Sequence, residues 1–299
     1  ITARELEDDP ANLRDNLAKY NVFARVDPRQ KHWIITQLQS QGHVGFLGEG
    51  INDAPALKAS TVGLVVQSAS DIAREASDII LMEADLSVII EGIAQGRRVF
   101  QNTLKYIKIT LTANFGNFYA VAIASLMINY PPMLPVQILL LNLLSDFPMI
   151  SISTDSVTKK DIAKPQHSKV KDIALIAMIL GSISTVFDFI VFTIFKSSPP
   201  DVMRTNWFMV SILDELAVIY SMRTPLPFYK ASWPSKTLLI LTVGAGVVCF
   251  ALPFTPLGQV FSLVPPSGNN VMVIISLVGM SFVVIEMAKR LYYHYVEKE

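Results

Sequence analysis

The chain has a single cysteine, Cys249, so no disulfide framework can hold it together. It has no surplus of either charge: 25 Lys and Arg stand against 25 Asp and Glu. With no long basic run either, a nucleic-acid partner is excluded as an expectation. The first residues, ITARELEDD, lack the basic and apolar regions of a signal peptide. They also lack an initiator Met and read as the inside of a soluble domain, so the sequence is expected to be a fragment. Nothing before about residue 105 is apolar for long enough to cross a bilayer. Beyond that point the texture changes to several apolar stretches of about 18 or more residues, the length a membrane span needs. Two parts are therefore expected: 1–100, a partial cytoplasmic domain with a connector, and 101–299, an all-α transmembrane domain.

In the first part, charged and apolar residues alternate as in a soluble α/β protein. Helices are expected over Ala11 to Lys19, Pro28 to Ser40, Asp53 to Lys58 and Ala69 to Ala76. Strands are expected at Val22–Ala24, Val44–Leu47, Val62–Val66 and Ile79–Leu81. Strands alternating with helices imply a parallel sheet of Rossmann type, with helices on both faces. Ligands of such sheets bind at the carboxyl ends of the strands. The run GEGIND, residues 48–53, lies at one such end. Gly48 and Gly50 allow a sharp turn and close approach to a ligand. Glu49 and Asp53 are hard oxygen donors suited to a Mg²⁺ that also touches a phosphate. Asn52 offers a neutral hydrogen bond to a phosphoryl oxygen, and Lys31 a cation to the same group. The alternative is a surface turn in which Asn52 and Asp53 merely cap a helix.

A helix over Leu86–Lys108 connects this part to the first of six expected spans: about 107–128, 133–153, 173–195, 205–222, 237–254 and 271–291. Lys159, Lys160, Lys164, Lys169 and Lys171 lie between the second and third spans. Arg223, Lys230 and Lys236 lie between the fourth and fifth, and Lys289 and Arg290 end the sixth. The opposite loops offer only Lys196 and Arg204. This asymmetry places the soluble part, these loops and the C-terminus in the cytoplasm.

Polar groups inside spans are costly and mark function. Asn114 and Asn117 are expected to share a face of the first span, and Asn142, Ser145 and Asp146 a face of the second, with an oxygen-rich cation site expected at Asp146. Pro148 is expected to break the second span and free carbonyl oxygens beside Asp146. Interhelical hydrogen bonding is the plainer role for the Asn and Ser residues. Asp214 and Glu215 are adjacent, so only one is expected to face the bundle, as a supporting ligand or proton acceptor. Asp188 and Glu286 are expected to be structural, with Lys289 placed to pair with Glu286.

The runs VFARVDPRQK and VGFLGEGINDAPALKAS resemble the second half of the phosphorylation domain of P-type ATPases. The resemblance continues through DIAREASDIIL, EGIAQGRRVFQN and the first spans, and covers nearly the whole chain. It implies a haloacid-dehalogenase-like fold, with Lys31 on the phosphoryl group, Asn52 orienting it and Asp53 supporting Mg²⁺. It also aligns both intramembrane clusters with transport-site positions. TANFGNF, the FDF of the third span and PFTPLG are similar to the magnesium-transporting branch. NLLSDFP keeps a Ser-Asp pair more like calcium pumps. Two departures stand out. Glu49 replaces the family's usual Asp, which moves the carboxylate by about 1 Å where Mg²⁺ demands regular geometry. The DKTGT motif with the phosphorylated aspartate does not occur.

The resemblance thus implies the C-terminal portion of an ATP-driven cation pump in the plasma membrane, using Mg²⁺ with ATP. Its partners would be the transported cation, the lipid bilayer, and actuator, nucleotide-binding and early membrane parts preceding residue 1. The competing reading is a catalytically silent membrane scaffold or channel. The coding sequence upstream separates the two: an open frame with DKTGT supports the pump, a start codon the scaffold. A tethered phosphatase is disfavoured, because Asp8 and Asp9 are adjacent rather than two residues apart.

Overall fold

The computed structural model describes residues 1–8, 17–165 and 168–295. The chain divides into two compact units, Ile1–Ile93 and Ala94–Glu299.

The first unit opens with α1 (Ala3–Asp8). Most of the helix expected from Ala11 falls on residues 9–16, outside the described residues, as does Asp9. Its last residues, Leu17–Lys19, form a 3-10 turn. The strand expected at Val22–Ala24 reduces to one bridge between Ala24 and Thr2, because Arg25 turns left-handed at φ 59 and ends the extended run. α2 (Pro28–Gln39) starts cleanly. Pro28 fills a first-turn position that has no N–H to satisfy, and Asp27 and Gln30 accept each other's backbone N–H at 2.8 and 2.9 Å.

β1 (Gly45–Gly48), α3 (Ala54–Ala59), β2 (Val62–Val66), α4 (Asp71–Ala76) and β3 (Ile79–Leu81) come next in the chain. The three strands form a parallel sheet in the order β1-β2-β3, with Gly48 opposite Val65 and Val66 opposite Leu81. Leu57, Val65, Ala69 and Ala73 bury their side chains together between strand and helices.

The second unit is helical. α5 (Leu86–Met127) begins just before it and runs 42 residues without interruption. α6 (Pro135–Ile150), α7 (Val170–Phe195), α8 (Pro200–Met222), α9 (Lys236–Ala251) and α10 (Gly268–Tyr295) complete the bundle. Among the described residues, five segments are long and apolar enough to cross a membrane: α5, Pro135–Thr154, α7, Lys236–Phe254 and α10. The remaining expected span, the fourth, corresponds to α8, which is long enough at 23 residues but carries Asp201, Arg204, Asp214 and Glu215. The reason is its position. α8 packs against α6, α7, α9 and α10, and Trp207, Phe208, Met209 and Ile212 are all buried. A helix enclosed by neighbours needs no lipid-facing apolar surface, so its hydropathy falls.

Candidate functional site

The loop after β1 is built around one carboxylate. Asp53 Oδ1 accepts from the Lys31 ammonium at 2.8 Å. Its Oδ2 accepts from the backbone N–H groups of Glu49 and Gly50, each at 3.3 Å. Burial pushes the Asp53 carboxyl up, but the hydrogen bonds from Lys31, Glu49 and Gly50 and the Lys31 charge outweigh it, so the group lies below the usual aspartate range. The Glu49 carbonyl accepts from Ser70 N–H at 3.0 Å, which ties the loop to the start of α4. The Glu49 and Asn52 side chains stand exposed on the same loop.

The two glycines differ from expectation. No glycine among the described residues has a positive φ, and Gly50 sits at −102°, open to any residue. Gly48 is required for another reason: a Cβ there would lie 2.8 Å from the Cβ of Asp53. Close approach, not sharp turning, selects glycine at this position.

Among the described residues, no three His, Cys, Asp or Glu side chains converge as a metal cluster. The loop still matches the way Mg²⁺ is usually held, by one or two carboxylates with water and phosphate supplying the rest. Asp53 is fixed and Glu49 is free on the surface.

In the helical unit, the five polar residues read as one site separate into two sets. Asn117 of α5 turns inward and donates to Glu215 Oε1 of α8 at 2.8 Å. Ser145 of α6 is buried, bonded to the Leu141 carbonyl at 3.0 Å, and reaches toward Glu215. Asn114, Asn142 and Asp146 are exposed on the unit's surface. Helix geometry explains the split. Residues three apart are turned by about 60°, enough to put Asn117 inside and Asn114 outside; Asn142 and Asp146, four apart, share the outer face. The break expected at Pro148 does not occur: α6 stays helical through it to Ile150, although the proline leaves the Leu144 carbonyl without its helical N–H.

Glu215 and its neighbours form a compact inner cluster. Both Asp214 and Glu215 are buried, against the expectation that only one would be, because α8 is enclosed on several sides. Asp214 accepts from Ser281 of α10 at 2.6 Å and from Ser184 of α7. Asp188 accepts from the Trp207 indole N–H at 2.7 Å. Glu286 is paired with Lys289 at 2.5 Å. A cavity of about 10 Å³ between Thr112, Asn117, Ser184, Asp214 and Glu215 has room for about one water, so a hydrated cation does not fit in this arrangement. Sequence reasoning left open which of Asp214 and Glu215 faces the bundle; the signal for both was a carboxylate pair in a helix otherwise dense with large apolar residues.

Several bilayer-length helices with buried, hydrogen-bonded carboxylates define an integral membrane protein, and a small parallel α/β unit precedes them in the chain. Residues 130–291, more than half of the chain, match the family described as cation transporting ATPase, C-terminus. The chain belongs to that family. It is 42% identical over 268 residues to magnesium-transporting ATPase, P-type 1, of Escherichia coli K12, an alignment covering 86% of this chain and 29% of the relative. It is 31% identical over 198 residues to calcium-transporting ATPase 1 of Schizosaccharomyces pombe, covering 65% and 22%. It is 27% identical over 275 residues to the calcium-transporting ATPase of Bacillus subtilis, covering 86% and 30%. The chain spans less than a third of the length of these relatives.

Proposed function

We propose that this chain is the C-terminal portion of an ATP-driven P-type cation pump that moves Mg²⁺. The observation that carries the reading is the presence, in one chain, of a Lys31–Asp53 pair at the carboxyl end of a parallel strand and of an amide–carboxylate pair, Asn117–Glu215, within membrane-length helices. The similarity to a magnesium-transporting relative at 42% identity favours Mg²⁺ over Ca²⁺.

In this reading the first unit is part of a haloacid-dehalogenase-like phosphorylation domain. Lys31 neutralises a phosphoryl oxygen, Asn52 orients the group by hydrogen bonding, and Gly48 and Gly50 keep the backbone low beneath it. Asp53, with Glu49 beside it, would hold a Mg²⁺ that supplies neutralising charge at the phosphate. The phosphorylated aspartate and the nucleotide come from parts of the pump that this chain does not contain.

Within the membrane, with α8 as a sixth span, Asn117, Ser145 and Glu215 form the inner wall of the transport site. Asn114, Asn142 and Asp146 lie on the outward faces of the same helices. An exposed carboxylate facing lipid is costly, so these faces are taken to meet the early spans of the whole pump. The soluble unit, the basic loops and the C-terminus lie in the cytoplasm, and the pump is in the plasma membrane. The test is ion-stimulated ATP hydrolysis by the full-length parent carrying Asp146→Ala. A loss of stimulation is expected; unchanged stimulation rejects Asp146 and the outward face that carries it as part of the transport site.

A further inference from the structure

A second buried polar centre lies outside the proposed transport site, and it is built from four segments. After α6 the chain makes a 3-10 turn, Ser151–Thr154, and arrives at Asp155. The Asp155 side chain is only 1% exposed. Arg223, at the end of α8, holds it in a two-pronged grip: Nε donates to Oδ2 at 3.0 Å and Nη2 to Oδ1 at 2.7 Å. Lys105 of α5 donates to Oδ2 at 3.2 Å and to the Ser156 carbonyl at 3.0 Å. Ser235, which caps α9, offers its N–H to Oδ1 at 3.4 Å. Asn102 of α5 donates to the carbonyls of Ser153 and Asp155 at 3.0 and 2.9 Å. Stability does not require such a group: well-packed apolar side chains often serve as well as a buried ion network. What the network supplies and an apolar patch does not is a fixed mutual position for the parts it joins.

The parts it joins are those of the proposed site. α5 carries Lys105 and, twelve residues or about 18 Å along its axis, Asn117. α8 carries Arg223 and, eight residues or about 12 Å back, Glu215. α6 carries Ser145 and Asp146 and reaches Asp155 through Pro148, where one helical hydrogen bond is missing. α5 and α8 are therefore joined twice, at the Asn117–Glu215 contact and at Asp155, and the chain leaving α6 enters the second joint. We infer that Asp155 is a positioning residue for transport: it is the joint through which a displacement of α5 moves α6 and α8, so that phosphorylation and cation access change together. This rests on the pump reading and goes beyond it. The chemistry of the joint is a carboxylate clamped by a guanidinium and an ammonium, and its failure mode is slippage between ATP hydrolysis and transport.

The experiment measures, in sealed vesicles containing the full-length parent, the phosphoenzyme level, ATP hydrolysis and Mg²⁺ transported per ATP. Asp155→Asn is expected to keep the phosphoenzyme but to lower the transported ratio by about tenfold, with Asp155→Glu recovering part of it. Lys105→Met leaves the Asp155–Arg223 grip in place and is expected to lower the ratio by about threefold, which keeps the test open should Asp155→Asn not reach the membrane. A ratio equal to the parent's in these variants overturns the inference. So does a fall in hydrolysis and transport together at a constant ratio, the mark of a merely structural role. A parent that transports nothing on ATP overturns the pump reading instead.

Discussion

Asp53 has both carboxylate oxygens engaged, one by an ammonium and the other by two backbone N–H groups. Its folded value lies below the ordinary aspartate value of about 3.9. The group therefore adds its full stability above that ordinary value, and the contribution is lost as pH falls through the lower, folded value. Removing Lys31 brings the two values closer. Lys31→Met should therefore move the acid loss of hydrogen-exchange protection in α2 and β1 to higher pH, and an unmoved midpoint would contradict the assignment. At neutral pH the cost should be about 1 kcal/mol or less, since the Lys31 side chain is 35% exposed. Legibility at this scale was uneven. The residues of the GEGIND loop announce themselves by type, but the Lys31–Asp53 pairing was not foreseen, because Lys31 was read toward a phosphoryl group and lies 22 residues away in the chain. Which of Asn114 and Asn117 points inward was not legible, because a turn of about 60° on a helix decides it and only the neighbours fix the helix rotation.

At the scale of elements, the strands β2 and β3 were readable to the residue because short Val, Ile and Leu runs are bounded by polar turns. Val22–Ala24 lacked such support and reduced to a bridge. α8 shows a different limit. Its apolar faces all meet other helices, so it tolerates Asp214 and Glu215 in adjacent positions, and no periodicity rule read from one helix alone foresees that both are buried. The Glu286–Lys289 pair links α10 to α8: Ser221 donates to Glu286 at 2.7 Å, and Lys289 donates to the Ser221 carbonyl at 2.7 Å and to the Leu226 carbonyl at 3.0 Å. Removing Glu286 leaves the buried Lys289 ammonium without its counter-charge. Glu286→Met should cost about 3–5 kcal/mol in thermal unfolding of the detergent-solubilised protein, and the double replacement with Lys289→Met should recover most of it. A double variant as unstable as the single one would show that the pair is not what joins these helices.

At the scale of the whole molecule, a parallel α/β unit followed by membrane-length helices was visible in the sequence as a change of texture near residue 105, with six spans expected where five of the described segments are long and apolar enough. The division of the polar residues between an inner cluster and an outer face was not visible, because it depends on how six helices enclose one another. That division gives the account its central claim: cations cross beside Asn117, Ser145 and Glu215 when a phosphoryl group is made and lost at Lys31, Asn52 and Asp53. The most direct measurement is ATP-dependent Mg²⁺ uptake into sealed vesicles by the full-length parent and by its Glu215→Gln form. The account predicts uptake by the parent with ATP only, and a loss of at least about tenfold in the variant. Uptake by the variant equal to the parent's, or no ATP-driven uptake by the parent, would contradict it.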